Sequence, residues 1–546
     1  MHLGYQGDAT PGHLDDENGT EVDRRTTPEA DLSGSAEHAR PGLRAGRGGV
    51  SVWQVLVATV VVIGVVVRFT ADSHLWLDEA LSVNIARLPL ARLPEALRHD
   101  GAPPLYYLLL HWWMGVFGTG TIAVRALSGV FAVAALPLMW IVGRRLGGKR
   151  LAVATLVIGA VSPFAVRYGT EARMYSLLTL LVLFAWLALS DLLERFAWSR
   201  AIAVSVLTGL LLLTHYWSFY LLAVTGAFVA HRAIRGPGRG EARRAALAIG
   251  VGCLAFLPWL PSFAFQLSHT GTPWAGRPDV RILFDTVFQF TGGFWDPGFI
   301  FGILAWLLIV VALLGRSIDG TRIELDLRTR PESRFLAIIG FGTLAVAFLV
   351  GVVTQSGFAV RYAAVLFPFV LALIALGTTR FTDPRVFRGV LATCVVLSLI
   401  AISPNVFGDR TTAAKVARLL RTQARPGDVV AYCPDQLAPS VSRLLGDPGL
   451  VQIPFPLGGS PERVDWVDYA QRNHAAATAP FTQMLLDRAG PDHDIWLVWS
   501  PNYLTFGTKC TALGDRLQAA RPDMKRLLTI KTDYFEHPGL IRYRPR

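Results

Sequence analysis

Apolar runs separated by short polar breaks fill most of the chain. The runs lie at 52–69, 122–142, 151–166, 174–192, 201–214, 217–231, 245–261, 299–315, 335–354, 359–378 and 386–403. Several reach the ~20 residues that a helix needs to cross a hydrocarbon core of ~30 Å. The basic loops 144–150, 231–244, 316–334 and 380–388 alternate with basic-poor ones, as expected if they all face the cytoplasm. The segment 103–118, PPLYYLLLHWWMGVFG, is short, opens with two prolines and carries His111. Counting it as a span would put Arg144, Arg145, Lys149 and Arg150 outside, against the charge rule. It is expected to be a juxtamembrane or re-entrant helix, which leaves about eleven spans and a cytoplasmic N-terminus.

The two ends read differently. Residues 1–50 are rich in Gly, Pro, Asp, Glu, Arg and Thr, and are expected to form a disordered cytoplasmic tail. Arg40, Arg44 and Arg47 hold it inside. From about 405 to 546 the chain turns polar and mixed. Helices are expected at AAKVARLLRTQ (413–423) and CTALGDRLQAA (510–520), and strands at VVAYC (429–433), DIWLVWS (494–500) and GLIRYR (539–544). This predicts a small extracytoplasmic α/β domain after a transmembrane domain over 51–404. It has no GxGxxG or P-loop, so no nucleotide site is expected there. Cys433 and Cys510 could pair if the domain faces an oxidising compartment; Cys253 and Cys394 sit in apolar runs.

Composition agrees. The chain is 52% hydrophobic and only 17% charged, against about a quarter charged in soluble proteins. The net charge of +12 comes without zinc-ligand spacing, a basic helix or an aromatic RNA motif, so it is assigned to cytoplasmic loops rather than nucleic acid.

Polar residues of both signs gather on the other face. In HLWLDEALSV (74–83), Asp78 and Glu79 stand in the first external loop, 71–102, with no basic neighbour within four residues. The same side receives Glu171 and Arg173 in RYGTEARMYS (167–176), His215 in THYW (214–217), His269, and Arg361 with Tyr362 in GFAVRYAAVLFP (357–368). Each has a plain alternative: a solvated loop pair for the two carboxylates, a helix-end salt bridge for Glu171 and Arg173, a hydrogen-bonded interfacial residue for His215, and an interfacial anchor for Arg361. Charges near a bilayer are costly, however, and usually pair, face a cavity or work. A carboxylate can take a proton from an attacking hydroxyl, and arginines can hold a phosphate as it leaves. A lipid-phosphate sugar, its chain in the bilayer and its head group here, would use both.

These motifs resemble those of the GT-C superfamily of integral-membrane glycosyltransferases, in the branch of protein O-mannosyltransferases, aminoarabinose transferases and lipopolysaccharide galacturonosyltransferase-like proteins. LWLDEA resembles the acidic first-loop motif and HDGAPPLYYLLLHWW (99–113) the HPPLYY segment. AVRALSGVFAV (123–133), SPFAVRYGTEARMYSLLTL (162–180) and the Arg361–Tyr362 pair before Pro368 complete the likeness, which covers 52 to about 400. The resemblance implies Asp78 as general base and Glu79 as its supporting carboxylate. Asp100 and the Pro103–Pro104 turn would shape the acceptor side. Arg173, His215 and Arg361 would contact the donor phosphate, with Glu171 and Tyr362 beside them in the substrate site. Gly101 and Ala102 stand where relatives carry His or Lys before the prolines, so a donor contact at that point is in question.

The implied activity is transfer of a sugar, hexose or pentose with mannose as first guess, from a polyprenyl-phosphate donor to an extracytoplasmic hydroxyl with inversion. The acceptor would be a glycan, lipid or protein. No dissociable nucleotide cofactor is implied, since the donor is the activated lipid. Carboxylates are present but not at distinctive metal-ligand spacing, which leaves a divalent metal open. Two rivals remain: a transporter or flippase of lipid-linked sugars, which would show paired broken helices near mid-bilayer, and a non-catalytic glycolipid-binding scaffold.

Overall fold

The computed structural model describes residues 51–545 except 273, 274, 277, 295, 502 and 531–535. The tail 1–50, expected to be disordered, lies outside the described residues. Ser51 opens α1 (Val52–Val67) with a reciprocal cap: its hydroxyl accepts from the Gln54 N–H at 3.3 Å, and the Gln54 side chain accepts from the Ser51 N–H at 2.9 Å. Three short helices follow, α2 (Leu77–Ala86), α3 (Leu93–Asp100) and α4 (Leu105–Phe117). Gly101 ends α3 at φ +83°, a conformation that glycine adopts without strain. The Pro103–Pro104 turn then starts α4, a helix of 13 residues where a short one was expected.

The long α5 (Thr121–Ala160) is broken at Gly147 and Gly148, where the backbone leaves helical geometry. Its halves fold back on each other so closely that a Cβ on Gly143 would meet the Thr155 Oγ1 at 2.2 Å. These halves are the two runs expected at 122–142 and 151–166, and the second ends earlier than expected. Ser162 and Pro163 are the reason: the Ser162 hydroxyl caps a new helix, α6 (Pro163–Gly169), which turns the chain away.

The bundle continues with α7 (Tyr175–Glu194), α8 (Trp198–Thr214), α9 (Ser218–Arg235), α10 (Arg239–Cys253), α11 (Leu260–His269), α12 (Ile282–Phe290) and α13 (Asp296–Leu314). After a small antiparallel hairpin, β1 (Gly315–Ser317) with β2 (Ile323–Leu325), come α14 (Pro331–Thr354), α15 (Phe367–Thr379) and α16 (Pro384–Phe407). A 3₁₀ turn over Val360–Val365 precedes α15, so the mouth of the run expected at 359–378 is not α-helical. Among the described residues, six helical stretches are long and apolar enough to cross a membrane: Thr121–Ala160, Tyr175–Glu194, Arg239–His269, Pro297–Leu314, Pro331–Thr354 and Pro384–Phe407. Four shorter apolar helices, including α1 and α4, accompany them.

Beyond the bundle, α17 (Ala413–Gln423), β3 (Val429–Cys433), α18 (Ala438–Leu445), β4 (Val451–Pro454), α19 (Tyr469–Ala475), α20 (Thr478–Ala489), β5 (Ile495–Trp499), α21 (Lys509–Ala520), β6 (Met524–Leu528) and β7 (Gly539–Tyr543) form an α/β unit. The sheet order is β4-β3-β5-β7-β6, with β3 parallel to β4 and β5, and β7 antiparallel to β5 and β6. Both faces of the central strands are covered. Val429, Ala431, Ile495 and Leu497 enter one core, and Val430, Tyr432, Trp496 and Val498 the other, as the two-residue period of a strand requires.

Cys433 on β3 and Cys510 on α21 form a disulfide. It ties together residues separated by 77 positions, and removing such a link typically costs about 2–4 kcal/mol. Reduction should therefore expose the domain to proteolysis at a lower temperature than the bundle; an unchanged digestion profile would make the bond dispensable.

Candidate active site

The site is organised around α2. One helical residue turns about 100°, so Asp78 and Glu79, although adjacent, point in different directions. Glu79 is fully buried and faces α5. Arg125 holds it bidentately, Nε to Oε1 at 2.7 Å and Nη2 to Oε2 at 2.6 Å. The Ala172 N–H adds a bond at 3.0 Å, and Arg410 Nη1 stands 3.9 Å from Oε2. Burial alone would raise the Glu79 pKa, but these cations and the amide outweigh it and hold the carboxyl below its ordinary value. Arg125 also donates to the carbonyls of Ala71, Ser73 and His74 at 3.2, 2.5 and 3.3 Å, fixing the segment that leads into α2. Glu79 is thus a fastening, committed to the bundle interior.

Asp78 lies on another face. Its Oδ2 is 3.4 Å from Arg361 Nη2, and the two side chains are 13% and 20% exposed, where that of Glu79 is closed off. Arg173 approaches from the α6–α7 junction: its Nη1 lies 3.5 Å from the Asp78 carbonyl, 3.2 Å from Ser82 Oγ and 3.4 Å from the Tyr107 hydroxyl. Tyr107 in turn donates to Asp100 Oδ2 at 2.9 Å. Burial raises the Asp100 pKa, with Arg173 and Tyr107 acting against it. On the far side, His215 Nδ1 accepts from the Trp217 N–H at 3.1 Å, which leaves the ring proton on Nε2. Burial, then the charges of Arg173 and Arg361, push His215 down to about 3, so it is neutral. Its ring lies 5.2 Å from that of Tyr362 and 5.9 Å from that of Tyr175.

Of the residues predicted from sequence, Asp78, Asp100, Arg173, His215, Arg361 and Tyr362 come together in one network. Glu79 and Glu171 stand behind it. Glu171 is paired with Arg167 Nε at 3.0 Å, and burial raises its pKa. His269 lies apart, against Asp468 of the α/β unit at 3.1 Å. Tyr107, Ser82, Arg125 and Arg410 were not singled out. Arg125 carried a signal, since a lone arginine inside an apolar run needs an acid, and Glu79 lacked a base. Tyr107 stood in the motif segment but reads as an ordinary apolar-run aromatic.

Among the described residues, no group of three His, Cys, Asp or Glu side chains is placed to hold a metal ion. An apolar cavity of about 370 Å³ among α7, α8, α9, α14 and α15, lined by Trp186, Phe335 and Phe369, contains none of these polar residues.

Residues 101–261 match the family model described as dolichyl-phosphate-mannose-protein mannosyltransferase. That stretch contains Arg125, Glu171, Arg173 and His215; Asp78 and Arg361 lie outside it. No protein of curated function matches the chain by sequence. The structure is similar to that of ArnT from Cupriavidus metallidurans bound to undecaprenyl phosphate, at 14% identity and a TM-score of 0.59, over 90% of this chain and 98% of that one. The apo state of the same protein gives 14% identity and a TM-score of 0.60, over 90% and 97% of the two chains. The protein is a multi-pass membrane protein with the fold of ArnT, in line with the resemblance of its motifs.

Proposed function

We propose that the protein transfers a sugar from a polyprenyl-phosphate donor to an extracytoplasmic hydroxyl, with inversion at the anomeric carbon. The observation that carries this is the partly exposed Asp78–Arg361 pair, 3.4 Å apart, with Arg173 beside it and a separate, buried ion pair doing the structural work. The undecaprenyl phosphate held by ArnT supports a donor of that class.

The acceptor hydroxyl attacks the anomeric carbon as Asp78 takes its proton. The bond from that carbon to the phosphate oxygen breaks, and the electron pair leaves with polyprenyl phosphate. Arg361 and Arg173 supply charge-assisted hydrogen bonds to the departing phosphate, where negative charge grows. Neutral His215 offers a donor at Nε2 without adding charge. Tyr107 and Asp100 orient Arg173 and border the acceptor side. Glu79 acts as a positioning residue, and Glu171 steadies Arg167 beneath the site. In this reading residues 1–50 are a cytoplasmic tail and 405–546 an extracytoplasmic domain, an orientation supported by the basic loops. Mannose is the first sugar to try, and glycan, lipid and protein acceptors all fit the chemistry.

Arg361→Ala should raise the donor KM by roughly 10–100-fold, the range expected for losing a hydrogen bond to a charged group, and leave the acceptor KM near wild type. Donor and acceptor titrations on the purified variant measure both. An unchanged donor KM would make Arg361 an interfacial anchor and take the phosphate site elsewhere.

A further inference from the structure

We propose that Tyr175 is a further substrate-binding residue: its hydroxyl donates to the phosphate of the lipid-linked donor. This rests on the reading of the protein as a transferase that uses a polyprenyl-phosphate sugar.

The starting point is a buried hydroxyl without a partner. Six tyrosines are almost wholly enclosed: Tyr106, Tyr107, Tyr175, Tyr432, Tyr469 and Tyr543. Five of them have their hydroxyls engaged. Tyr106 meets Ser128 Oγ at 3.0 Å, and Tyr107 donates to Asp100 Oδ2 at 2.9 Å. Tyr432 donates to Gln452 Oε1 at 2.6 Å, Tyr469 to Asp435 Oδ1 at 2.5 Å and Tyr543 to the Gly514 carbonyl at 3.1 Å. The Tyr175 hydroxyl has no hydrogen-bond partner among the described residues, although the residue is only 1% exposed. A buried donor without an acceptor destabilises a fold, and phenylalanine would fill the same space without that penalty.

Its surroundings say what the hydroxyl is for. Tyr175 opens α7, two residues after Arg173, whose Nη1 lies 3.2 Å from Ser82 Oγ and 3.5 Å from the Asp78 carbonyl. Its ring packs edge-on against Tyr168 at 4.6 Å and lies 5.9 Å from that of His215. The His215 ring is in turn 5.2 Å from that of Tyr362, over which the Arg361 guanidinium stands at 5.7 Å. His215 offers Tyr175 no acceptor, because Nδ1 already takes the Trp217 N–H and Nε2 carries the ring proton. Arginine side chains only donate. Arg173, His215, Arg361 and Tyr175 thus bring donors to one place.

The helix adds to this. Met174, the N-cap of α7, makes no side-chain bond, so the first turn of this 20-residue helix has no side-chain cap where its dipole is positive. An anion is favoured at such an end. A phosphate presents several charged oxygens and can satisfy a hydroxyl, an imidazole N–H and guanidinium groups together. The bond from Tyr175 would strengthen as negative charge grows on the departing phosphate.

The test uses the full-length purified protein and Tyr175→Phe, which keeps the ring between Tyr168 and His215 and removes only the hydroxyl. Undecaprenyl phosphate is the probe, titrated in a binding isotherm, and the thermal midpoint is measured on the lipid-free protein. Affinity should fall about tenfold or more, the range for a lost hydrogen bond to a charged group, while the midpoint holds or rises. In turnover the donor KM should rise by a similar factor, and the acceptor KM should not move. Unchanged affinity overturns the proposal. So does a lower midpoint, which would give the hydroxyl a structural bond instead. A 3-fluorotyrosine at position 175 tests the contact in a protein that keeps the hydroxyl. Its fluorine resonance should shift on saturation with undecaprenyl phosphate, and a resonance that stays put overturns the contact. A wild type that binds undecaprenyl phosphate, loses affinity in Tyr175→Phe and yet transfers no sugar would uphold the phosphate contact and remove the transferase reading.

Discussion

Asp78→Asn should fold like wild type, bind a polyprenyl phosphate with unchanged affinity, and turn over about 10²–10⁴ times more slowly, the range for loss of a general base. Asparagine keeps the shape and can still accept a hydrogen bond from Arg361, but it cannot carry away a proton. The expectation of intact folding comes from the division of labour on α2. Glu79, not Asp78, makes the buried bonds that fasten the helix to Arg125, so neutralising Asp78 leaves the frame in place. Single-turnover kinetics on the purified variant, beside a lipid-binding isotherm, separate the two effects. Wild-type turnover would remove Asp78 from the chemistry. Aggregation of the variant would mean that Asp78 also bears structural load.

Arg125→Met should do the opposite, damaging the fold first. It leaves the fully buried Glu79 with only the Ala172 amide and an Arg410 guanidinium 3.9 Å away. Breaking one side of a buried ion pair costs about 3–5 kcal/mol, because the abandoned charge keeps its desolvation penalty. The yield of monodisperse protein and its thermal midpoint should both fall sharply. Removing the second charge as well, in Glu79→Gln with Arg125→Met, should recover much of the loss, since an apolar or neutral pair of similar volume is often no worse than the ion pair. A single variant as stable as wild type would show that the pair is not what holds α2.

These contrasts mark how much the chain discloses by itself. The apolar runs and the strands VVAYC, DIWLVWS and GLIRYR were legible, because β3, β5 and β7 are the inner strands of the sheet and are apolar on both faces. The edge strands β4 and β6 were not: VQIP and MKRLL are half exposed and carry little pattern. Within the runs, boundaries failed where proline and a capping serine intervened, as at Ser162–Pro163.

The site shows the same limit. Two carboxylates without nearby bases stood out, as did Arg173, His215 and Arg361 on one face of the expected topology. Their assignment to different tasks did not, because it depends on the helical phase of a ten-residue segment and on partners distant in sequence; Arg125 is 46 residues from Glu79. Arg410 gave no signal at all. It lies in ordinary polar sequence, and only the approach of its guanidinium to Glu79 gives it a role.

The most direct test of the central claim is to reconstitute the purified wild-type protein in vesicles with polyprenyl phosphates carrying labelled hexoses or pentoses and a set of hydroxyl acceptors. The account predicts that label leaves the lipid for an acceptor, that free polyprenyl phosphate appears in equal amount, and that the new glycosidic bond has the opposite anomeric configuration to the donor. Label that stays on the lipid while the lipid crosses the bilayer, or is merely retained by the protein, would contradict it.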